Sequence, residues 1–297
     1  MGMVESVAPS VDAFLLGAPK CGTTWLSEAL IQHPGICVSN PKEPNIVATH
    51  KGTFTRDVAR PDWRKYSECF KGEGVRIDCS VHALACPEAP ARVADLAPNA
   101  KFIVCLREPV SRTISHWNMI LDTDEDKENH ADWSDFKVAW EDKRLNCDTM
   151  YGAAISRWLK FFDLEAILII ESERMRHSPL EVLKDVCAHL DVAAHPFDLS
   201  EINNANTASD RRPITMFGRV FRSIAGILPQ LIKAPIVNWL QSRGTNVYKM
   251  PLLSSKAKPK RNISEKQRVI LAEDINQDLR LLEKLTGFDV SKWIIDG

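Results

Sequence analysis

The chain has 297 residues, of which 44% are hydrophobic and 26% are charged, and its formal net charge at pH 7 is −1. This composition is typical of a soluble globular protein, long enough for one large α/β domain or two small ones. The balanced charge gives no indication of a nucleic-acid partner. The N-terminus lacks a basic stretch followed by an apolar one, and no apolar run reaches about 18 residues, so we expect no signal peptide, no membrane span and a cytoplasmic location.

The predicted elements alternate between short apolar runs and helical patterns. Strands are predicted at Phe14–Leu16, Ile36–Val38, Val75–Ser80, Lys101–Leu106 and Ala166–Ile170. Helices are predicted at Thr23–Gln32, Trp63–Phe70, Pro87–Ala97, from Pro109, at 132–143, 149–162, Pro179–Leu190 and Ser264–Thr286. This order predicts an α/β, doubly wound, mainly parallel sheet of four to five strands flanked by helices. We expect one domain over 1–297, with a helical cap or substrate-binding insertion at about 200–250; weak membrane-surface association through 214–240 is the alternative for that segment.

The eight cysteines are scattered singly and form no Cys-x-x-Cys pair, which argues against zinc ribbons and thioredoxin-type motifs. We expect free thiols that serve as small core residues. Cys21 is either a reactive thiol or, as we prefer, a small residue that fits a tight turn. The acidic stretch at 122–128 lacks the glycine and terminal glutamate of a calcium loop, so we expect a solvated loop there.

A glycine-containing turn, Gly17–Gly22, follows the first predicted strand and precedes the first helix. Strand, glycine loop and helix N-terminus together form a cradle for a phosphate or sulfate group. The two glycines have the spacing of a Walker A loop, but Thr23 stands where a nucleotide triphosphatase needs lysine, and the lysine lies inside the loop as Lys20. The pattern predicts an anion-binding, P-loop-like turn whose cation faces a different part of the ligand.

Charged residues follow three of the predicted strands. Lys20 follows the first, Lys42 and Glu43 follow the second, and Arg107 follows the fourth. Ligands bind at the carboxyl ends of the strands in such sheets, so these side chains are expected at one site. Ser115 lies eight residues beyond Arg107 on a predicted helix, and a guanidinium with a hydroxyl suits a terminal phosphate. The sequence therefore predicts at least two anion subsites.

Two segments resemble the 5′-phosphosulfate and 3′-phosphate motifs of sulfotransferases that use 3′-phosphoadenosine 5′-phosphosulfate (PAPS). They are Gly-Ala-Pro-Lys-Cys-Gly-Thr-Thr-Trp-Leu from Gly17 and Leu-Arg-Glu-Pro-Val-Ser-Arg-Thr-Ile-Ser from Leu106. Asn-Pro-Lys-Glu-Pro from Asn40 and Ser-Lys-Ala-Lys-Pro from Ser255 resemble segments of the heparan sulfate 3-O-sulfotransferase and N-sulfotransferase branch. The resemblance runs from about residue 12 to 293, is weak across 45–75 and 200–250, and is shared with bacterial small-molecule sulfotransferases.

The resemblance implies PAPS as cosubstrate, released as adenosine 3′,5′-bisphosphate, and no metal. It implies that Lys20 acts at the leaving phosphate, Glu43 as general base and Lys42 near the transferred group. His82 and Asp78 are reserve candidates for the general base. For His82 we give equal weight to a second interpretation, a residue at a helix start that takes no part in the reaction. The implied cofactor-binding residues are Lys20, Cys21, Gly22, Thr23, Thr24, Trp25, Arg107, Ser115, Lys256, Ala257 and Lys258.

The chain departs from the branch pattern at two places. Cys79 follows Asp78 where the branch has a lysine, and Ala257 and Lys258 replace glycine and arginine. These departures leave the cofactor assignment intact and point away from a polysaccharide. We therefore expect transfer to a hydroxyl or amine of a small molecule, such as a metabolite or natural product.

Three alternatives to this function are retained. In the first alternative the acceptor is a glycan or lipid. In the second the protein is a P-loop nucleotide or small-molecule kinase, and in the third it binds adenosine bisphosphate without catalysis. A kinase would need lysine after Gly22 and a magnesium-binding aspartate at a strand end, and the lysine is absent.

Overall fold

The structure is a computed structural model that describes residues 10–57, 60–200, 202 and 260–296. At its centre is a sheet of five parallel strands in the order β2-β3-β1-β4-β5. The strands are β1 (Ala13–Gly17), β2 (Ile36–Val38), β3 (Val75–Asp78), β4 (Lys101–Leu106) and β5 (Ile167–Glu171). The predicted α/β fold is thereby confirmed, with all five strands close to their predicted positions.

Helices flank this sheet. The helices of the described residues are α1 (Thr23–Leu30), α2 (Trp63–Ser67), α3 (Ala89–Leu96), α4 (Pro109–Thr123), α5 (Glu125–Glu128), α6 (Phe136–Glu141), α7 (Lys143–Asn146), α8 (Tyr151–Trp158), α9 (Arg174–His177), α10 (Pro179–His189) and α11 (Glu265–Thr286). Every helix in the described part of the chain is too short or too polar to span a bilayer.

The central strands β1 and β4 are apolar along nearly their whole length because both faces of a parallel sheet are covered. All five residues of β1 are buried, as are the residues of β4 beyond Lys101. Phe14 stacks on Phe102 across the two strands, with ring centroids 5.9 Å apart. Because both strands are packed on their two faces, their carboxyl ends have defined positions. The Gly17–Gly22 turn begins at the end of β1, and Arg107 follows the end of β4.

The C-terminal helix α11 begins and ends as the sequence predicts. Ser264 and Gln267 form a reciprocal capping box, and Gly287 ends the helix with a positive φ of 69°. The carboxylate of Asp278 accepts hydrogen bonds from the N–H groups of Gly152 and Ala153, at the start of α8. A Cβ at Gly152 would meet the Asp278 carbonyl oxygen at 2.3 Å, so the close approach of the two helices requires glycine there.

Two local predictions are wrong. The acidic stretch expected as a loop lies partly in the last turn of α4, which ends at Thr123, and partly in the short helix α5. In α5 the acidic residues occupy the first turn, where the helix dipole favours them. The order Ser178-Pro179 in the sequence predicts a serine N-cap followed by the first helical residue of α10, but the Ser178 side chain makes no capping bond, and Pro179 alone supplies the start of that helix.

Contacts divide the chain into two compact units. The first comprises residues 1–117, 132–204 and 263–297, and includes the sheet. The second comprises 118–131 and 205–262, within which Asn118 and Arg261 exchange two hydrogen bonds of 2.9 Å and Arg261 pairs with Asp122 at 3.2 Å. The predicted helical cap at 200–250 lies almost entirely outside the described residues, so it stays a prediction.

Candidate active site

The Gly17–Gly22 turn joins β1 to α1 in the way that its glycines require. Gly17, Lys20 and Gly22 have φ values of 138°, 73° and 88°. A Cβ on Gly17 would lie 2.3 Å from the carbonyl oxygen of Val81, so only glycine lets the segment after β3 pass this close. A left-handed non-glycine residue such as Lys20 is uncommon and concentrates at functional sites. Gly22 at the cap position leaves the first N–H groups of α1 without a side-chain acceptor.

Tyr151 braces this turn against the end of β4. Its hydroxyl donates a hydrogen bond to the carbonyl oxygen of Arg107 at 2.9 Å and lies 3.9 Å from the Cys21 sulfur. Burial raises the pKa of the Cys21 thiol to about 11, although Arg112, Arg107 and Lys20 each act to lower it. Cys21 is therefore a protonated, fully buried thiol at neutral pH, which favours the small-residue interpretation.

The second predicted subsite begins directly after β4. Arg107 and Ser115 are both partly exposed, Arg107 before α4 and Ser115 within it. Glu108, next to Arg107, is used as a cap: its carboxylate accepts hydrogen bonds from the N–H groups of Val110 and Ser111 at 2.9 and 2.7 Å. Because β4 pairs directly with β1, Arg107 and Lys20 follow adjacent strands at the same edge of the sheet.

The loop after β2 presents Lys42 and Glu43 together. The Lys42 ammonium donates to Oε1 of Glu43 at 2.9 Å, and the two side chains are 26% and 33% exposed. Ser39 fixes the loop by donating to the Lys42 carbonyl oxygen, and Ser80 fixes it by accepting from the N–H of Asn45. The loop is thus tied to the residues around the end of β3, while both charged groups remain accessible.

Asp78, one of the two reserve bases, is not available for that role. Its Oδ2 accepts a 2.6 Å hydrogen bond from the Tyr66 hydroxyl, and its Oδ1 accepts from the N–H of Ser80 at 2.8 Å. The residue is 1% exposed, and burial raises its pKa. Its oxygens hold the end of β3 in place, so we assign Asp78 a structural role.

His82, the other reserve base, lies in a buried cluster that sequence reasoning missed. Its Nδ1 is 3.5 Å from Oδ2 of Asp148, which is also 3.8 Å from Nδ1 of His116. Arg112, fully buried, donates to Nδ1 of His116 at 3.1 Å and to the Thr149 hydroxyl at 2.8 Å. Burial alone would raise the pKa of Asp148, but His82, His116 and Arg112 hold it well below its usual range, so the carboxyl group is ionised at neutral pH.

Two buried histidines should make the stability of the fold depend on pH. Burial, followed by the Arg56 guanidinium, lowers the pKa of His50 from 6.5 to about 4, and burial with Arg112 holds that of His116 well below 6.5. Between these values the unfolded chain binds more protons than the folded one. We expect the free energy of unfolding to keep the full contribution of these neutral histidines above pH 6.5 and to fall as the pH drops towards 4. Urea denaturation at both ends of this window measures the fall.

His50→Gln is the control for that experiment. Removing this imidazole should make the decline of stability with falling pH shallower. A free energy of unfolding that stays constant across the window in the unmodified protein would contradict the neutral, buried state of these histidines.

Among the described residues, His50, Cys86 and Glu88 bring three possible metal-ligand atoms within 4.8 Å of one another. These atoms already have partners. The Arg56 guanidinium contacts Nδ1 of His50, and the Cys86 thiol donates to Oε2 of Glu88 at 3.4 Å. These contacts provide protein partners for Nδ1 of His50, the Cys86 thiol and one carboxylate oxygen of Glu88.

The first unit thus brings together several of the predicted site residues at the carboxyl edge of the sheet. The turn from Lys20 to Gly22 leads into Thr23, which is buried, and into Thr24 and Trp25, which are partly exposed. The predicted contributions of Lys256, Ala257 and Lys258 lie outside the described residues and remain predictions.

The chain is similar to several known proteins. A model of the sulfotransferase domain family matches residues 10–208. The mouse bifunctional heparan sulfate N-deacetylase/N-sulfotransferase 3 is 27% identical over 216 residues, covering 64% of this chain and 23% of that protein. The mouse heparan sulfate glucosamine 3-O-sulfotransferase 5 is 26% identical over 181 residues, covering 58% and 51%. The chain therefore spans about a quarter to a half of the length of these relatives.

The fold is also similar to that of a solved structure. The sulfotransferase from Alicyclobacillus acidocaldarius superposes with a TM-score of 0.64 at 21% identity, covering 96% of this chain and 99% of that one. At this identity the likeness concerns the fold. The family match extends over well over half of the chain and includes the Gly17–Gly22 turn, Arg107 and Ser115. The chain therefore belongs to the sulfotransferase domain family.

Proposed function

We propose that this protein transfers the sulfuryl group of PAPS to a hydroxyl or amine of a small molecule. The observation that carries the proposal is the pairing of β1 with β4, which sets the Lys20 turn beside Arg107 at one edge of the sheet. Two anion-binding elements on adjacent strands match a ligand with two separated phosphate groups. Tyr151, in contact with both elements, supports a fixed spacing between them.

The residues present fit PAPS as the donor. PAPS supplies the sulfuryl group and leaves as adenosine 3′,5′-bisphosphate. Lys20, with the N–H groups at the start of α1, would bind the 5′-phosphate and stabilise the charge that develops there when the bond to sulfur breaks. Arg107 and Ser115 would bind the 3′-phosphate, with the guanidinium and the hydroxyl as donors.

On the acceptor side, Glu43 would receive the proton of the attacking group, and Lys42 would stabilise the transferred sulfuryl oxygens. Their 2.9 Å ion pair supports this because it places a base and a cation side by side on an accessible loop. Two features support a small acceptor. The residue directly after β3 is Cys79, a fully buried side chain without charge, and the whole chain has a net charge of −1. An anionic polysaccharide would require a strongly basic surface.

Arg107→Ala tests the donor assignment through binding alone. We expect it to weaken adenosine 3′,5′-bisphosphate roughly 10- to 100-fold, because a charge-assisted contact is removed, and to change adenosine 5′-phosphate little. Isothermal titration calorimetry measures both affinities. Arg64→Ala, an exposed arginine on α2, is the matched control and should change neither. Equal loss of both nucleotides, or no loss of either, would contradict the second subsite.

A further inference from the structure

The carboxylate of Asp148 has no role in the transfer described so far, yet its surroundings are unusual. It lies between α7 and α8 with a side chain that is 0% exposed. Neither carboxylate oxygen of Asp148 has a hydrogen-bond partner of good geometry among the described residues. The Nδ1 atom of His82 has no such partner either. These atoms face each other, with Nδ1 of His82 3.5 Å from Oδ2 of Asp148. Buried polar groups rarely remain unpaired, so a small rotation that closes this gap is favoured.

The position of each proton follows from the neighbouring bonds. Nδ1 of His116 accepts from Arg112, so in the neutral ring the proton is on Nε2, which lies 2.7 Å from the Thr53 hydroxyl oxygen and donates to it. His116 therefore has no proton to offer Asp148. His82 is the other histidine within 4 Å of the Asp148 carboxylate. Because its Nδ1 is the atom that faces Oδ2 of Asp148, a hydrogen bond to that oxygen requires the proton of His82 to be on Nδ1.

The Arg112 guanidinium keeps Asp148 in its ionised form, and two neutral imidazoles also face this carboxylate. From α4 it faces Arg112 and His116, and from the loop after β2 it faces His50. Arg112 is fully buried, and its charge requires a buried anion nearby. Asp148 meets that requirement while its oxygens remain available to the imidazole of His82.

We infer that Asp148 is a positioning residue that holds Nδ1–H of His82, leaving Nε2 as a proton-accepting atom directed at the acceptor substrate. His82 suits this task because it adjoins Val81, whose carbonyl oxygen packs against Gly17 of the anion-binding turn. The inference rests on the proposed sulfuryl transfer. In that reaction Nε2 accepts a hydrogen bond from a second N–H of an attacking amine, or from a hydroxyl that neighbours an attacking hydroxyl, and so orients the acceptor, while the proton of the attacking group goes to Glu43.

The first test reads the tautomer directly and does not depend on activity. Long-range proton–nitrogen NMR of the histidine-labelled protein should show His82 protonated at Nδ1, and Asp148→Asn should shift the proton towards Nε2. An Nε2–H tautomer of His82 in the unmodified protein would overturn the inference.

The second test uses two variants of His82, in case Asp148→Asn fails to fold around Arg112. His82→Asn places its amide N–H where Nδ1–H stands and keeps the contact with Asp148, whereas His82→Gln places its polar end nearer to Nε2. We expect His82→Asn to melt close to the unmodified protein and His82→Gln to melt lower. Both should reduce kcat roughly 10²-fold, since neither has Nε2 held in place. Full activity of His82→Asn, or equal melting of the two variants, would overturn the role.

The third test separates this inference from the function on which it rests. In steady-state assays with PAPS, Asp148→Asn should lower kcat, and adding it to His82→Asn should cause no further loss, because the two residues act as a unit. Losses that multiply would show that Asp148 acts apart from His82. If the unmodified protein transfers nothing from PAPS, the proposed function fails, while the tautomer still decides whether Asp148 positions His82.

Discussion

Lys20→Met is expected to lower kcat for sulfuryl transfer roughly 10³-fold, because it removes the fixed charge at the leaving phosphate. Methionine has an unbranched side chain only one atom shorter than that of lysine and makes the same demand on the left-handed backbone at φ 73°, so the change mainly removes the charge. The loss should appear mainly in kcat, since the charge on the bridging oxygen develops in the transition state. Steady-state kinetics with PAPS at saturating acceptor measures it.

Lys71→Met is the matched control for that substitution. Lys71 is exposed and precedes β3, at the opposite edge of the sheet from the Gly17–Gly22 turn. We expect its kinetics to equal those of the unmodified protein. A Lys20→Met variant that folds normally and retains kcat within about threefold would remove Lys20 from the chemistry, because even a single lost donor costs roughly 10²-fold or more.

Glu43→Gln should lower kcat by roughly 10²- to 10⁴-fold, the range associated with loss of a general base. Glutamine keeps the shape of the side chain and a hydrogen bond to the acceptor but cannot take a proton. The affinity for adenosine 3′,5′-bisphosphate should stay unchanged, because Glu43 follows β2, two positions from β1 in the sheet. Calorimetry and steady-state kinetics on the same preparation separate the two effects.

The control for Glu43 is Glu73→Gln, an exposed glutamate before β3. It should leave both kcat and nucleotide affinity as they were. If Glu43→Gln kept full activity while His82→Asn abolished it, the proton would pass to His82, and the roles proposed for the two residues would be exchanged.

Local patterns were sufficient to predict the sheet and the turn. The apolar run of β1, the glycine spacing of the turn and the start of α4 at Pro109 each lie within a few consecutive residues, where periodicity and turn chemistry are decisive. The positions of Lys20 and Arg107 at one edge followed from strand pairing in a parallel sheet.

The buried polar partners could not be predicted in the same way. Tyr151 contacts Cys21 across 130 positions of sequence, and Asp148 faces His82 from a turn between two short helices. Nothing in the neighbouring residues of Asp148 distinguishes it from a solvated carboxylate. Asp78 shows the opposite case, since its place at a strand end suggested a base and only the bonds from Tyr66 and Ser80 reveal that it is occupied.

The most direct measurement of the central claim is transfer of radiolabelled sulfuryl from PAPS to a panel of small hydroxyl and amine acceptors. We expect label in an acceptor, release of adenosine 3′,5′-bisphosphate in equal amount, and loss of both in Lys20→Met. Two further acceptors are tested in parallel. Desulfated heparan sulfate represents glycan acceptors, and lipid vesicles represent lipid acceptors. Phosphoryl transfer from ATP with magnesium and no reaction with PAPS, or tight binding of adenosine 3′,5′-bisphosphate without turnover of any acceptor, would contradict it.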